Sequence, residues 1–201
     1  VMSASNSVNS SYFGIEMNGT SILSKTGPIV IDGGQRGTRF SGWYASLGYN
    51  TLGSCTTTGM PTSFNCINSL VITTSADITV KGNQFSFYGD SRYLSNRTNG
   101  NVVYEPSTGN NFNSIFNFYA NFSSLVPETV RLGKDSSTAT FDTYTRDVVT
   151  ADKSIEIYGR DLYINGDIRS LNLSSESNAS GIRLKAAKNI WTSVNRFDSN
   201  G

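Results

Sequence analysis

The chain has 201 residues, a formal charge of +1 and no histidine, and 15% of its residues are charged, against about 25% in ordinary soluble domains. The missing histidine removes Ser-His-Asp triads, histidine metal sites and the commonest general base together, and singly scattered Lys and Arg leave no basic stripe for nucleic acid. Nowhere do about 18 apolar residues run together, so no helix is expected to insert in a membrane.

What replaces charge is small and polar. Hydrophobic residues make up 37%, while Asn, Ser and Thr fill about a third of the chain. Such residues satisfy turns and exposed strand faces. Disorder also favours polar residues but lacks aromatics, and here there are 11 Phe, 10 Tyr and 2 Trp. The composition therefore points to a folded β protein. Asn-x-Ser/Thr sequons occur at Asn9, Asn18, Asn96, Asn121, Asn172 and Asn178, but at this Asn, Ser and Thr content chance supplies them.

In chain order, the opening VMSASNSVNSSYFG has neither the charged nor the apolar region of a secretory signal. The start at Val1 rather than Met reads as a fragment, a processed chain or an incompletely recorded one. PIVIDGGQ follows, with Ile29 and Ile31 alternating before Gly33. GGQRG at 33–37 lacks the Lys-Ser/Thr of a phosphate loop. RFSGWYASLGYNTLGSC then carries Trp43, Tyr44 and Tyr49, the candidates for receptor contact because Tyr and Trp give large area with few rotors. The competing reading of these aromatics is core or interface residues beside turns. Cys55 and Cys66 bracket a long polar loop, the next contact candidate, and are spaced to close a disulfide. Two thiols with no histidine nearby cannot fill a tetrahedral zinc site; no metal or cofactor is expected.

The most informative feature is internal. ADITVKGNQFSFYGDSRYLS (76–95) aligns without gaps on KSIEIYGRDLYINGDIRSLN (153–172). Ile78 matches Ile155, Gly82 Gly159, Gly89 Gly166, Asp90 Asp167, Arg92 Arg169 and Leu94 Leu171. Apolar exchanges fill the rest, Val80 with Ile157, Phe85 with Leu162 and Phe87 with Ile164. With Gly82-Asn83 as a two-residue hairpin loop, Val80 faces Phe85 and Ile78 faces Phe87. With Gly89-Asp90 as the next loop, Leu94 joins that face. The second copy behaves alike, Ile157 opposite Leu162, Ile155 opposite Ile164 and Leu171 opposite Leu162. The rival arrangement is a β-solenoid of seven-residue rungs with the same glycines at its corners. Arg92 and Arg169 would lie on the apolar face, opposite Phe87 and Ile164, either snorkelling at the sheet rim or reaching a neighbouring subunit.

Between the copies, SNRTNGN and EPSTGNNFN suggest a connector at 96–111, dividing a β domain at 1–95 from another at 112–201. Phe112, Phe116, Phe118 and Phe122 alternate with Asn113, Asn117 and Asn121, a strand with phenylalanine on one face. Among the carboxylates Asp142 and Asp147, flanking a Tyr-Thr-Arg segment, are the least easily dismissed, whereas Asp90 and Asp167 read as turn residues. SGIRLKAAKNIW fits either a short helix or a strand. A short meander has a single apolar face and is marginal alone. The fold expected is thus all-β, short antiparallel meanders or β-solenoid-like repeats, assembled as a trimer whose chains cover one another.

The pattern Ile-x-Ile-x-Gly-x-x-(Phe/Leu)-x-(Phe/Ile)-x-Gly-Asp in 76–95 and 153–172 resembles β-repeats of tailed-phage tail fibres and tail-tip proteins. GIRLKAAKNIW adds a fibre-like strand pattern. The resemblance covers roughly a quarter of the chain and implies a non-enzymatic virion component. It implies a homotrimer joined to other tail proteins, with host-surface polysaccharide or an outer-membrane protein as receptor. Two other classes stay open: a depolymerase tailspike, with carboxylates clustered in a groove, and a capsid decoration protein or extracellular surface adhesin.

Overall fold

Burial alternates in and out along Ile29–Asp32, Ile78–Lys81 and Thr129–Leu132, as a pleated strand with one side on a core requires. The computed structural model describes residues 2–3, 14–18, 21–42, 71–89, 95–112, 116–118, 126–145, 148–171, 181–192 and 197–198. They wind as successive turns. The first runs β1 (Met2–Ser3), β2 (Ile15–Asn18) and β3 (Ser21–Leu23), the second β4 (Ile29–Asp32), β5 (Thr38–Gly42) and β6 (Val71–Thr73). The third is β7 (Ile78–Lys81), β8 (Phe85–Gly89) and β9 (Ser95–Arg97), and the fourth β10 (Asn101–Glu105) and β11 (Phe116–Phe118). The fifth is β12 (Thr129–Leu132), β13 (Thr143–Thr145) and β14 (Val149–Ala151). In the sixth, β15 (Ser154–Ile164) crosses from the first face to the second without a break, before β16 (Ile168–Ser170). The seventh repeats this with β17 (Gly181–Thr192) and β18 (Phe197–Asp198).

Each strand pairs with its counterpart in the next turn. The first face stacks β1-β4-β7-β10-β12-β15-β17. The second face holds β2-β5-β8 and, through β15, β11-β13-β15-β17; the third holds β3-β6-β9 and β14-β16-β18. Every strand pairing among the described residues is parallel.

This corrects the expected antiparallel meanders. Ile78 and Val80 do not fold back on Phe87 and Phe85. They pair with Ile29 and Ile31 on one side and with Val102 and Tyr104 on the other. Gly82-Asn83 is a corner: the chain leaves the first face there and β8 pairs with β5 on the second. In the later copy Ile155, Ile157, Leu162 and Ile164 lie along the single strand β15. Nor are the rungs seven residues long; Ile78, Val102, Val130, Ile155 and Ile182 are stacked partners, so from the third turn on a turn takes about 25 residues, a solenoid-scale period, while the second, from Ile29 to Ile78, is about twice as long. Ile78 and Ile155 thus occupy one column, three turns apart. Strand β10 lies inside the 96–111 segment and is bonded on both sides, to β7 and β12.

Two inward columns carry the first face. One is Ile29, Ile78, Val102, Val130, Ile155 and Ile182, the other Ile31, Val80, Tyr104, Leu132, Ile157 and Leu184. Between the second turn and the sixth these residues are buried, and burying each aliphatic side chain contributes about 1.5–3 kcal/mol relative to exposure. The second face adds Phe85, Thr143, Leu162 and Ile164, the third Ile72, Val149, Ala151 and Ile168. Phe112 stands edge-on between Phe85 and Phe141, with ring centres 5.4 and 4.6 Å away. The apolar faces therefore cover one another inside one chain. The premise for the trimer, an apolar face that needs neighbouring chains, does not hold, and nothing in the described residues supports a trimer.

Corners are closed by hydroxyls. Thr74 Oγ1 donates to the Gly27 carbonyl at 2.7 Å and accepts from the Ala76 N–H at 3.1 Å. One turn on, Thr98 Oγ1 donates to the Ala76 carbonyl and accepts from the Gly100 N–H at 2.8 Å. Short polar side chains here satisfy backbone groups that the strands leave over. At the first-to-second-face corner a Cβ on Gly82 would meet Gly37 Cα at 2.9 Å; turns pack too closely there for a side chain.

Candidate functional site

Because inward positions are filled by core, chemistry is left to the outward columns. On the first face these are Val30, Thr79, Val103, Arg131, Glu156 and Arg183, one residue per turn. Beside them run Asn101, Thr129 and Ser154, also Cα partners, with Asp77 preceding β7. A groove of about 310 Å³ lies across four of these turns, lined by Asp77, Thr79, Asn101, Val103, Thr129, Arg131, Ser154 and Glu156 among others.

Its walls are tied turn to turn. Asp77 Oδ1 accepts from the Asn101 backbone N–H at 2.8 Å and from Asn101 Nδ2 at 3.0 Å. Asn101 Oδ1 accepts from Thr129 Oγ1 at 2.5 Å. Arg131 Nη2 reaches Glu105 at 2.8 Å, and Lys81 Nζ reaches the same carboxylate at 3.1 Å. Arg131 Nε is buried with no hydrogen-bond partner. Tyr158 Oη donates to Glu156 at 3.0 Å; burial first, then that bond and the Glu156 charge, push the phenol up to about 12.

The second face gathers a different set. Tyr144, Tyr163 and Trp191 are Cα partners on successive strands. The two tyrosine rings stack at 4.2 Å, nearly parallel, and Trp191 is 55% exposed. Next to them Arg160 bridges two carboxylates, Nη2 to Asp142 at 2.7 Å and Nε to Asp161 at 3.1 Å. Here the register of β15 against β17 shifts by one, with Ala187 and Lys188 of β17 standing opposite the single Arg160, and this sets Asn189 beside Asp161. Asp161 Oδ1 also accepts from Asn189, backbone N–H at 3.1 Å and Nδ2 at 2.8 Å. Burial works against ionisation of Asp161, but the bonds from Asn189 and Arg160 and the Arg160 charge outweigh it and hold the carboxyl below its ordinary range.

Lowering a carboxyl's pKa on folding stabilises the native state above the unfolded pKa of about 3.9. That stability is lost as pH falls through the folded value, where the unfolded chain binds more protons. Asp161→Asn is therefore expected to flatten the acid limb of the stability curve below about pH 4. Urea midpoints of parent and variant from pH 7 to pH 2.5 check this; parallel curves would mean that Asp161 titrates alike folded and unfolded.

Of the residues singled out from sequence, Trp43, Tyr44, Tyr49, Cys55 and Cys66, between β5 and β6, lie outside the described residues; Arg92, between β8 and β9, and Asp147, between β13 and β14, lie outside them too. Arg169 is not on an apolar face opposite Ile164. It points outward on the third face, exposed and paired with Asp167, while Ile168 and Ser170 on either side turn inward. Leu171 is likewise exposed rather than packed on Leu162. Asp142, a flagged carboxylate among the described residues, joins a cluster. Arg160, Asp161 and Asn189 escaped notice because strand pairing, with a register shift at Asn189, is what brings them to Asp142. Among the described residues no group of three or more His, Cys, Asp or Glu is placed to hold a metal, and no helix is long and apolar enough to cross a membrane.

No protein-family model, curated protein or solved structure matches the chain.

Proposed function

We propose that this chain is a non-catalytic structural component of a tailed-phage tail fibre or tail tip that attaches the particle to its host's surface. The observation that carries the non-catalytic part is the Asp142–Arg160–Asp161 bridge. A glycosidase needs one carboxyl protonated as acid beside a second that acts as base or nucleophile. Here the two carboxylates share one guanidinium, and the Asp161 carboxyl is held below its ordinary range, the opposite of what an acid catalyst needs. The closely stacked turns support a structural role, with Thr79, Arg131 and Glu156 outward on the first face and Tyr144, Tyr163 and Trp191 in register on the second. The attachment part rests on the resemblance of 76–95 and 153–172 to fibre repeats.

Two measurements test the reading. An antibody raised against the chain should decorate the tail of the particle that carries it, seen by immunogold microscopy. Labelled chain should adsorb to host cells without releasing reducing ends from their polysaccharide. Label over the capsid would turn the assignment to a decoration protein, label on bacterial surfaces to an adhesin, and steady reducing-end release to a depolymerase.

A further inference from the structure

We infer that the open edge of β17 accepts, as an added parallel strand, a segment of another protein in which aliphatic and acidic residues alternate. This goes beyond the attachment reading and does not depend on it.

Pairing sets the place. β17 is 12 residues long, and among the described residues it is hydrogen-bonded to β15 alone. Gly181 N–H donates to the Lys153 carbonyl at 2.9 Å. Peptide groups along a strand turn to alternate sides, so those of Ile182, Leu184 and Ala186 face the open edge. The side chains of Ile182 and Leu184 continue the two inward columns, yet they are only half-buried. Ile190 is exposed where its partner Leu162 is buried. One more strand covers these residues, and an unpaired edge of this length is a template for it.

Charge sets the partner. Outward charges on the first face alternate in sign from turn to turn. Asp32, Lys81 and Glu105 are successive Cα partners, and so are Arg131, Glu156 and Arg183. Opposite charges at facing positions stabilise strand pairing, and like charges oppose it. β17 carries Arg183, Lys185 and Lys188 and no acidic residue, and Arg183 and Lys185 share the single carboxylate of Asp135. The strand beyond Arg183 therefore continues the alternation with Asp or Glu. A second copy of this chain does not supply it. β17 against β17 sets cations against cations, and a first turn stacked in register sets Met2 on Leu184 and the uncharged Ser3 on Lys185.

Fluorescence anisotropy of labelled peptides with the whole chain tests this. In TVEVEVT, laid parallel along residues 181–187, valines meet Ile182, Leu184 and Ala186, and glutamates meet Arg183 and Lys185. The glutamate N–H groups then face β17 and the valine N–H groups face away. TVEVEVT is expected to bind about tenfold tighter than TVKVKVT. N-methylation of both glutamates should weaken it about tenfold or more, and N-methylation of the valines should leave it unchanged. Arg183→Thr combined with Lys185→Thr should erase the preference between the two peptides. A thermal melt shows whether that variant is folded, and the N-methylated peptides test the pairing on the parent chain in either case. Equal binding of the two peptides, no binding, or binding that survives N-methylated glutamates overturns the inference. Self-association of the chain that TVEVEVT competes away gives the edge to a second copy, and overturns it too.

Discussion

Ile155→Ala is expected to lower the free energy of unfolding by about 2–5 kcal/mol. Ile155 is fully buried in an inward column between Val130 and Ile182. Its deletion leaves a cavity that neighbours cannot easily fill, because both backbones beside it are held by the interturn hydrogen bonds. Cavities that fail to collapse give the upper part of that range. The matched control is Lys153→Ala, two residues away, whose exposed pair with Glu128 contributes little; its change should stay within about 0.5 kcal/mol. Urea denaturation followed by circular dichroism measures both. A loss below about 1 kcal/mol at Ile155 would mean that the interior is loosely packed rather than columnar.

Gly37→Ala should cost about 2–4 kcal/mol, for a reason outside the core. Gly37 ends the 3-10 turn Gly34–Arg36 with φ 80° and ψ −174°, a conformation that only glycine adopts without strain. A Cβ there would also sit 1.9 Å from the Gln84 carbonyl oxygen. That oxygen accepts from Thr38 N–H at 3.0 Å, so moving it breaks a bond between the second and third turns. The same denaturation experiment reads the effect, with Gly109→Ala for comparison. Gly109 has φ 66° but nothing within reach of a Cβ, so it isolates the backbone share. Equal losses at the two glycines would show that crowding against Gln84 contributes nothing.

Alternation made the inward residues legible. Ile78, Val80, Phe85, Ile155, Ile157, Leu162 and Ile164 share a face by period two in the sequence, and all are buried. Pairing was not legible. Period two says which side chains lie together along one strand but not which strand lies beside it, and a glycine suits a hairpin loop and a solenoid corner equally. The choice is made by contacts such as Thr38 with Phe85, far apart in sequence. PIVIDGGQ held the clue in its Ile-x-(Ile/Val)-x-Gly spacing, shared with residues 78–82, since Ile29 and Ile31 are the partners of Ile78 and Val80.

The sites were less legible than the core. The groove joins residues of four turns that no spacing rule connects before the pairing is known. Asp142 stood out by composition alone. The place of Asn189 beside Asp161 depends on one extra residue in β17 against β15, for which the sequence carries no mark.

The unbroken passage of β15 and β17 around a corner has a mechanical consequence. Interstrand hydrogen bonds point from turn to turn, so tension along the stack would pull them apart head-on, opening one ladder before loading the next. Most turns change face through a separate corner peptide, a natural place for such a peel to pause. The sixth and seventh turns have continuous strands across that corner, paired from Ser154 with Gly181 to Ile164 with Thr192. There the two faces must give way together. A stretched chain should therefore part first among the earlier turns, leaving the final pair as its most tear-resistant segment.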